Sequence, residues 1–374
     1  MIYTRMKNMF LGLLKYHKML KHQNDIKNLS KQNAKLSIRP SSSYAKRIDT
    51  FWENHYGKRV NKFWHAAIAS ANGIEDEHYI PTDIWYLEIL PWLNRLALHD
   101  AYTDKNSTDV FLEGFNAPAT ILKKINGNFY LRKNHQVSLD AAYEHLMQHE
   151  GTVFIKPSFT ADGKNVRALF INDNKIFMED NLVSFKGLDD EYGSDYLIQA
   201  KIEQHPIMQE IYPGSVNTLR MVTFRFKGKI HLLFTFARFG NSGHVVDNIG
   251  AGGLGCRVSE KGRLNKFAID KLGRKFERHP FSNYVFEEAV IPNMSSFSDY
   301  VISLHNQLPY FDIVSWDIAV GPNAEPILIE LNLAGESTIY QMINGPLFGS
   351  FTEELLETIR DSQYRPSWTL EWKL

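Results

Sequence analysis

A single cysteine, Cys256, stands among 374 residues, so an internal disulfide framework and a cysteine-rich zinc site are both excluded. Such cysteine usage fits a reducing compartment. Charge of one sign is not in excess either: the formal net charge is +0, and nothing in the global field favours nucleic acid or another polyanion. No apolar run approaches the ~20 residues that a membrane-spanning helix needs. The longest N-terminal stretch, Met9 to Leu14, stops at Lys15 with no small-residue cleavage site behind it. We therefore expect a chain that starts near Met1 and resides in the cytoplasm. A Walker A sequence is absent, which removes one of the two commonest nucleotide motifs. No internal repeat or low-complexity tract is present.

What remains is ordinary for a soluble globular protein, with 44% apolar and 22% charged residues. The length suffices for two or three units with real cores. In the first fifty residues the only acids are Asp25 and Asp49, while lysine and arginine are frequent. Ile2, Met6, Met9, Phe10, Leu13 and Leu20 recur at helical spacing, with Lys7, Lys15, Lys18 and Lys21 between them. Such a basic amphipathic helix either packs on its own protein or lies on an anionic membrane surface, at the inner face of the membrane, through residues 1–30. Residues 43–100 read as further helix, with Pro81-Thr82-Asp83 as a start signal. Their aromatics, among them Phe51, Trp52, Trp64 and Trp85, fall at helix-like intervals and read as core. Ser138 is placed to cap a helix running through Ala142 to Gln148.

From Thr152 the pattern changes to strands: 152–155, 167–171, 175–178, 196–198, 221–226, 230–237, 313–320 and 327–331. Asn172-Asp173-Asn174 and Lys227-Gly228 read as hairpin turns. Neighbouring strands joined by tight turns predict mainly antiparallel sheet with helices elsewhere, an α+β fold. The organisation expected is a helical region over 1–100, a connecting segment over 101–150, a small lobe over 151–203 and a large lobe over 204–374.

Near the C-terminus, Trp316-Asp317-Ile318-Ala319-Val320 and Ile327-Leu328-Ile329-Glu330-Leu331-Asn332 face each other across Gly321-Pro322-Asn323. Asp317, Glu330 and Asn332 interrupt otherwise apolar strands. Alternation puts Glu330 and Asn332 on one face, and hairpin pairing could bring Asp317 there. Two carboxylates and an amide oxygen suit Mg²⁺, with phosphate oxygens and water completing its shell; the alternative is edge-strand acids facing water. Upstream, Phe154-Ile155-Lys156-Pro157-Ser158 ends a strand in a lysine able to hold a phosphate. Asp162-Gly163-Lys164-Asn165 follows as a turn, whether plain or phosphate-approaching. Arg220 and Arg238 sit among apolar strand residues and must pair with an acid or serve an anionic ligand. Gly250-Ala251-Gly252-Gly253 could bring backbone close to a ligand or be a simple loop. Cys256 has no base beside it and reads as packing.

In order, the stretches FIKPS…GKNV, LIQAKIEQHP, NTLRMVTF, FARFG, VDNIGAGG, HPFS, WDIAV and LIELN resemble the ATP-grasp superfamily, and within it the sugar-transfer-associated ATP-grasp proteins. The resemblance covers roughly Asp104 to Thr358, and Phe51 to Lys105 less specifically through YIPTD, PWLNR and TDK. It implies two α+β lobes gripping Mg·ATP. Lys156 would hold the α/β-phosphates and the Gly163-Lys164 turn would close over them. The backbone from Leu197 to Ile202, including Gln199, Ala200 and Lys201, would read the adenine edge, with Glu203 on the ribose. Arg220 and Arg238 would face the γ-phosphate as the catalytic cations. Asp317, Glu330 and Asn332 would carry one or two Mg²⁺, while Asn217, Asn248, Gly252 and Gly253 would line the acceptor side. Two departures stand out: Asp162 and Asn165 replace common glycines, and Ser315 stands where some ligases of this fold place an arginine.

The activity implied is a ligase that converts a carboxylate to an acyl phosphate for attack by an amine or similar nucleophile, in cell-surface polysaccharide assembly. Its partners would be small or sugar-linked carboxylates and amines, not nucleic acid. A sugar or polyol kinase on the same fold and a catalytically silent nucleotide-binding scaffold are the alternative expectations.

Overall fold

The computed structural model describes residues 2–131, 134–159, 165–241 and 247–362, with the side chains of α1 (Ile2–Gln32) from residue 13 onward, Lys15 excepted. Four hairpins turn through paired positive φ angles: Asn126-Gly127, Asp173-Asn174, Glu179-Asp180 and Lys227-Gly228. This backbone twist matches that of the flanking strands, which is why two-residue loops favour it. The strands assemble into two sheets.

The first sheet is eight-stranded. Its strands are β1 (Thr120–Ile125), β2 (Asn128–Leu131), β3 (His135–Val137), β4 (Gly151–Pro157), β5 (Arg167–Asn172), β6 (Lys175–Met178), β7 (Asn181–Val183) and β8 (Tyr196–Ala200). Their order is β3-β2-β1-β8-β4-β5-β6-β7, antiparallel throughout. The boundary read at residue 151 falls inside this sheet, because β1–β3 and the helix Leu139–Met147 share its core with β4, β5 and β8. Ser138 caps that helix by accepting from the Ala141 N–H.

The second sheet is seven-stranded: β9 (Thr218–Phe226), β10 (Lys229–Phe239), β11 (Leu254–Val258), β12 (Leu264–Ile269), β13 (Lys275–Phe276), β14 (Ile313–Val320) and β15 (Pro326–Asn332). It runs β13-β12-β11-β10-β9-β14-β15. Alternation divides its side chains between two cores. Leu219, Met221, Trp316 and Ile318 pack with Phe297 and Val301 of the helix Met294–Asn306. Val222, Phe224 and Phe236 pack on the opposite face with α1, α2 (Ser42–Tyr56), α3 (Phe63–Asn72) and the C-terminal helices. Phe51, Trp52, Trp64 and Trp85 lie in that core, as their spacing predicts, and Cys256 is buried in the other.

Within the helical layer, Thr82 opens a helical run after Pro81, and Trp85–Ile89 forms a π turn. α1 is docked on this layer from its middle onward. His22 stacks on Tyr86 with ring centroids 5.3 Å apart, Ile26 is buried, and Asn33 just beyond the helix donates to the Leu272 carbonyl at 2.7 Å. Leu13, Tyr16 and Leu20 on the same helix are exposed. Among the described residues no helix is long and apolar enough to cross a membrane.

Candidate active site

Register fixes the site. Asp317 of β14 lies opposite Glu330 of β15 on one side and Arg220 of β9 on the other, and Ser315 lies opposite Asn332. Directly opposed residues in antiparallel strands project to the same face. Arg220 also shares a face with Val222 and Phe224, two and four residues on, so the polar cluster occupies one end of the sheet face whose other end carries the helical layer.

Across this face runs a continuous ion-paired chain. Arg220 donates to both Asp317 oxygens, through Nε and at 2.9 Å through its second terminal nitrogen, and its other terminal nitrogen donates to the Tyr340 hydroxyl. Arg238 donates to Asp317 Oδ2 at 2.7 Å and to Asp247 Oδ1 at 3.0 Å. Asp247 Oδ2 in turn accepts from the Thr218 N–H at 3.0 Å and from its hydroxyl. Burial pushes the Asp317 carboxyl up, but Arg220 and Arg238 outweigh it and hold the group well below the usual carboxylate range. For Asp247 burial prevails over Arg238, and its carboxyl moves up. Both arginines therefore serve acids of their own chain.

Facing this end is a cleft of about 1360 Å³ walled by both sheets and by the helical layer. Small-molecule pockets typically span about 300–1,000 Å³, so there is room for a nucleotide and a second substrate. Lys156 enters from β4. Burial and the neighbouring Lys105 lower its ammonium, against the pull of Glu330, to about 8. Lys105 itself lies 3.5 Å from Glu330 Oε2, linking the two walls. Sequence reasoning gave Lys105 no role; it lies in the TDK stretch, ahead of the clearest motifs. Tyr340 and Asp247 were equally missed, since a tyrosine in an apolar helix and an acid in a loop carry no spacing signal.

The other expected residues divide. Asn248 lines the cleft, and its side chain accepts from the Gly250 N–H at 2.7 Å. Gln199 to Glu203 line it too, at the crossing between sheets. Gln199 pairs with Phe154 in the ladder and the Ala200 N–H donates to the Ala119 carbonyl at 2.9 Å, so only Lys201 and Ile202 lie past the strand. Glu203 is 68% exposed and paired with Lys201 at 3.0 Å.

Three expectations are corrected. Asn217 is fully buried away from the cleft: its amide donates to the Met208 and Tyr212 carbonyls at 2.8 and 2.7 Å, and its oxygen accepts from the Gly240 N–H at 3.2 Å. Gly252 stands at φ 106° behind the short turn. Gly253 is pressed against backbone, where an added Cβ would come within 2.6 Å of the Asp247 carbonyl oxygen. These glycines shape the loop and do not line the cleft. The Gly163-Lys164 turn lies outside the described residues; Asn165 beside it has φ 58°, a conformation asparagine tolerates.

The oxygen donors suit a hard cation. A carboxylate offers about four lone-pair sites, and three on Asp317 receive arginine N–H groups, which leaves one on Oδ1. Glu330 stands opposite it, and the Asn332 amide nitrogen is buried with no hydrogen-bond partner among the described residues. That nitrogen is a donor, so a cation would be met by the Asn332 side-chain oxygen beside the two carboxylates. Among the described residues no group of three or more His, Cys, Asp and Glu could hold a metal by itself, so any cation here draws on the amide and on ligand oxygens.

The description of the sugar-transfer associated ATP-grasp family matches residues 91–355, well over half of the chain. The chain belongs to this family. Solved structures similar to this ATP-grasp chain include the L-amino acid ligase from Bacillus licheniformis, at 11% identity over 69% of this chain and 48% of that one, TM-score 0.39. ATP-grasp ligase PsnB, complexed with minimal precursor, Mg and ADP, aligns at 12% identity over 70% and 60%, TM-score 0.37. D-alanyl-alanine synthetase A from Vibrio cholerae aligns at 10% identity over 70% and 63%, TM-score 0.40. The matched part thus spans about half to two thirds of these three chains. A comparison with the curated proteins finds no match. The fold is that of an ATP-grasp protein, two mainly antiparallel α+β lobes behind a helical N-terminal region, and ATP is the nucleotide that the family's description names.

Proposed function

We propose that this ATP-grasp protein is a ligase that phosphorylates a substrate carboxylate and joins it to an amine, releasing ADP and phosphate. The observation that carries the reading is the polar end of the second sheet, Asp317, Glu330 and Asn332 on one face, set across a cleft from Lys156. Mg·ATP would supply the phosphoryl group and the cation that offsets its charge. Lys156 and Lys105 hold phosphate oxygens as point charges. Glu330, Asn332 and the remaining Oδ1 site of Asp317 hold the cation. Arg220 and Arg238, their charges matched by Asp317 and Asp247, fix Asp317 in place beside the cation site. Such chemistry is mainly positioning and electrostatics, and it requires no serine or cysteine nucleophile. Cell-surface glycan assembly as the setting is supported by the family's description alone.

The test is a phosphate-release assay with Mg·ATP, sugar acids and amino acids as carboxylates, and a panel of amines. A ligase releases phosphate only when an amine is present. Accumulation of a stable phosphate ester without amine would replace the reading with a kinase, and tight nucleotide binding without any product would replace it with a scaffold.

A further inference from the structure

The cleft continues past the nucleotide-binding end onto the helical layer, where His22 and Asp25 of α1, Tyr86 of the π turn and Glu336 line it. Several contacts fix this wall. His22 stacks on Tyr86, Trp85 Nε1 donates to the Gly335 carbonyl at 2.9 Å, and the Thr82 hydroxyl meets the Ser337 hydroxyl at 3.2 Å. Interruptions of this π type recur at functional sites, because they turn side chains out of the regular helical register. Tyr340 ties the wall to the ion-paired chain by accepting from Arg220.

Two features of the wall find no use in the chemistry above. The His22 side chain is only 11% exposed, and its Nε2 is buried with no hydrogen-bond partner among the described residues. Such atoms are costly to leave unpaired, so they point to a missing partner. Burial, opposed by Asp25 and reinforced by Lys21 and Lys18, lowers the His22 imidazole and so favours its neutral form. Charge differs from the nucleotide end as well. Here the lining carboxylates are Asp25, whose side chain is 61% exposed, and Glu336. The Glu336 oxygens accept from the Thr338 and Ile339 N–H groups at 2.7 and 2.6 Å, and burial pushes its carboxyl up. Lys271, whose ammonium donates to the Gly250 carbonyl at 3.1 Å, lines the cleft as well. Lys18 and Lys21 belong to α1 but do not line the cleft.

We propose that α1 and the π turn form the acceptor half of the cleft, and that His22, Tyr86 and Asp25 receive a substrate bearing a primary ammonium group. This rests on the ligase reading, to which it adds where the acceptor docks and what charge it carries on arrival; the ammonium gives a proton to water before its nitrogen attacks the acyl phosphate.

The test uses the full chain with His22→Cys, and separately Tyr86→Cys; the native Cys256 is buried and gives little background. With Mg·AMPPNP present, each variant is reacted with aminoethyl and sulfonatoethyl methanethiosulfonate, and rates are normalised to free cysteine. Electrostatic focusing in a cleft changes local concentrations by roughly ten-fold or more, so the cationic reagent is expected to react at least about tenfold faster, and adding Asp25→Asn to narrow that ratio. Before any modification, both cysteine variants are expected to keep Mg·ATP affinity by calorimetry and to raise the KM for amine by about tenfold, the loss of one hydrogen bond to a charged group. Equal or inverted ratios at both positions, unreactive thiols, or an unchanged amine KM in both variants would overturn the proposal. Failure of the unmodified protein to bind Mg·ATP would instead remove the ligase reading, and the charge comparison would still be read on its own.

Discussion

Arg238 illustrates how a residue chosen for one role carries another. An arginine among apolar strand residues must pair with an acid or serve a ligand; here it pairs with two buried acids, Asp317 and Asp247. Removing one partner of a buried charge network typically costs about 3–5 kcal/mol, so Arg238→Ala is expected to lower the denaturation midpoint sharply as well as abolish turnover. Glu330→Gln, at a half-exposed position, is expected to lose about 10²–10³ in rate with an unchanged melting temperature, since its charge acts mainly on the transition state. Retained phosphate release in that variant would defeat the assignment. Lys156 gives a pH signature: its ammonium titrates near 8, and only the protonated form attracts phosphate. Mg·ATP affinity is therefore expected to weaken as pH rises through about 8, and Lys156→Arg to remove that slope in calorimetric titrations. The sequence showed Glu330 and Asn332 on one face because strand alternation is a local rule, and left Asp317 to the hairpin register, which sets it opposite Glu330. Asn217 misled because its motif lies next to Arg220, whereas its hydrogen bonds run to carbonyls that no local pattern announces.

At the scale of elements, hairpins with long alternating strands were legible and short or charged strands were not. β1 reads Thr-Ile-Leu-Lys-Lys-Ile, and two adjacent lysines argue for solvent. Yet Lys123 is buried with Asp109 at 2.6 Å, and Lys124 reaches Asp189 at 2.5 Å. Partners far along the chain made burial possible, so local polarity gave the opposite answer. The Asn126-Gly127 turn was nevertheless a strong hairpin signal, and it marks where β1 and β2 could have been found. The loop preceding β9 depends on Asn217 in the same long-range way. Asn217→Ala leaves the Met208 and Tyr212 carbonyls and the Gly240 N–H without their partner, and is expected to destabilise the fold by about 1–3 kcal/mol in thermal or urea melts. An unchanged melt with lost substrate affinity would return Asn217 to the acceptor side.

The whole molecule joins its two sheets through residues 201–205, where the His205 N–H donates to the Val320 carbonyl at 2.8 Å. If nucleotide bridges Lys156 on one wall and Glu330 on the other, hydrogen exchange across 201–205 is expected to slow when Mg·ATP is added. Unchanged exchange would count against a ligand that spans both lobes. A second consequence concerns how the chain is made. Trp52 and Trp64 belong to helices completed within the first 72 residues, yet the same core needs Tyr340, Leu355 and Ile359 from the last described segment. The Gln341 side chain bonds both the Ile80 N–H and the Ile80 carbonyl, at 2.7 and 2.9 Å, across more than 250 residues of sequence. These helices thus leave the ribosome well before the residues that cover them. Sticky aromatic faces wait in the open until those residues emerge, a situation in which nascent chains depend on chaperones.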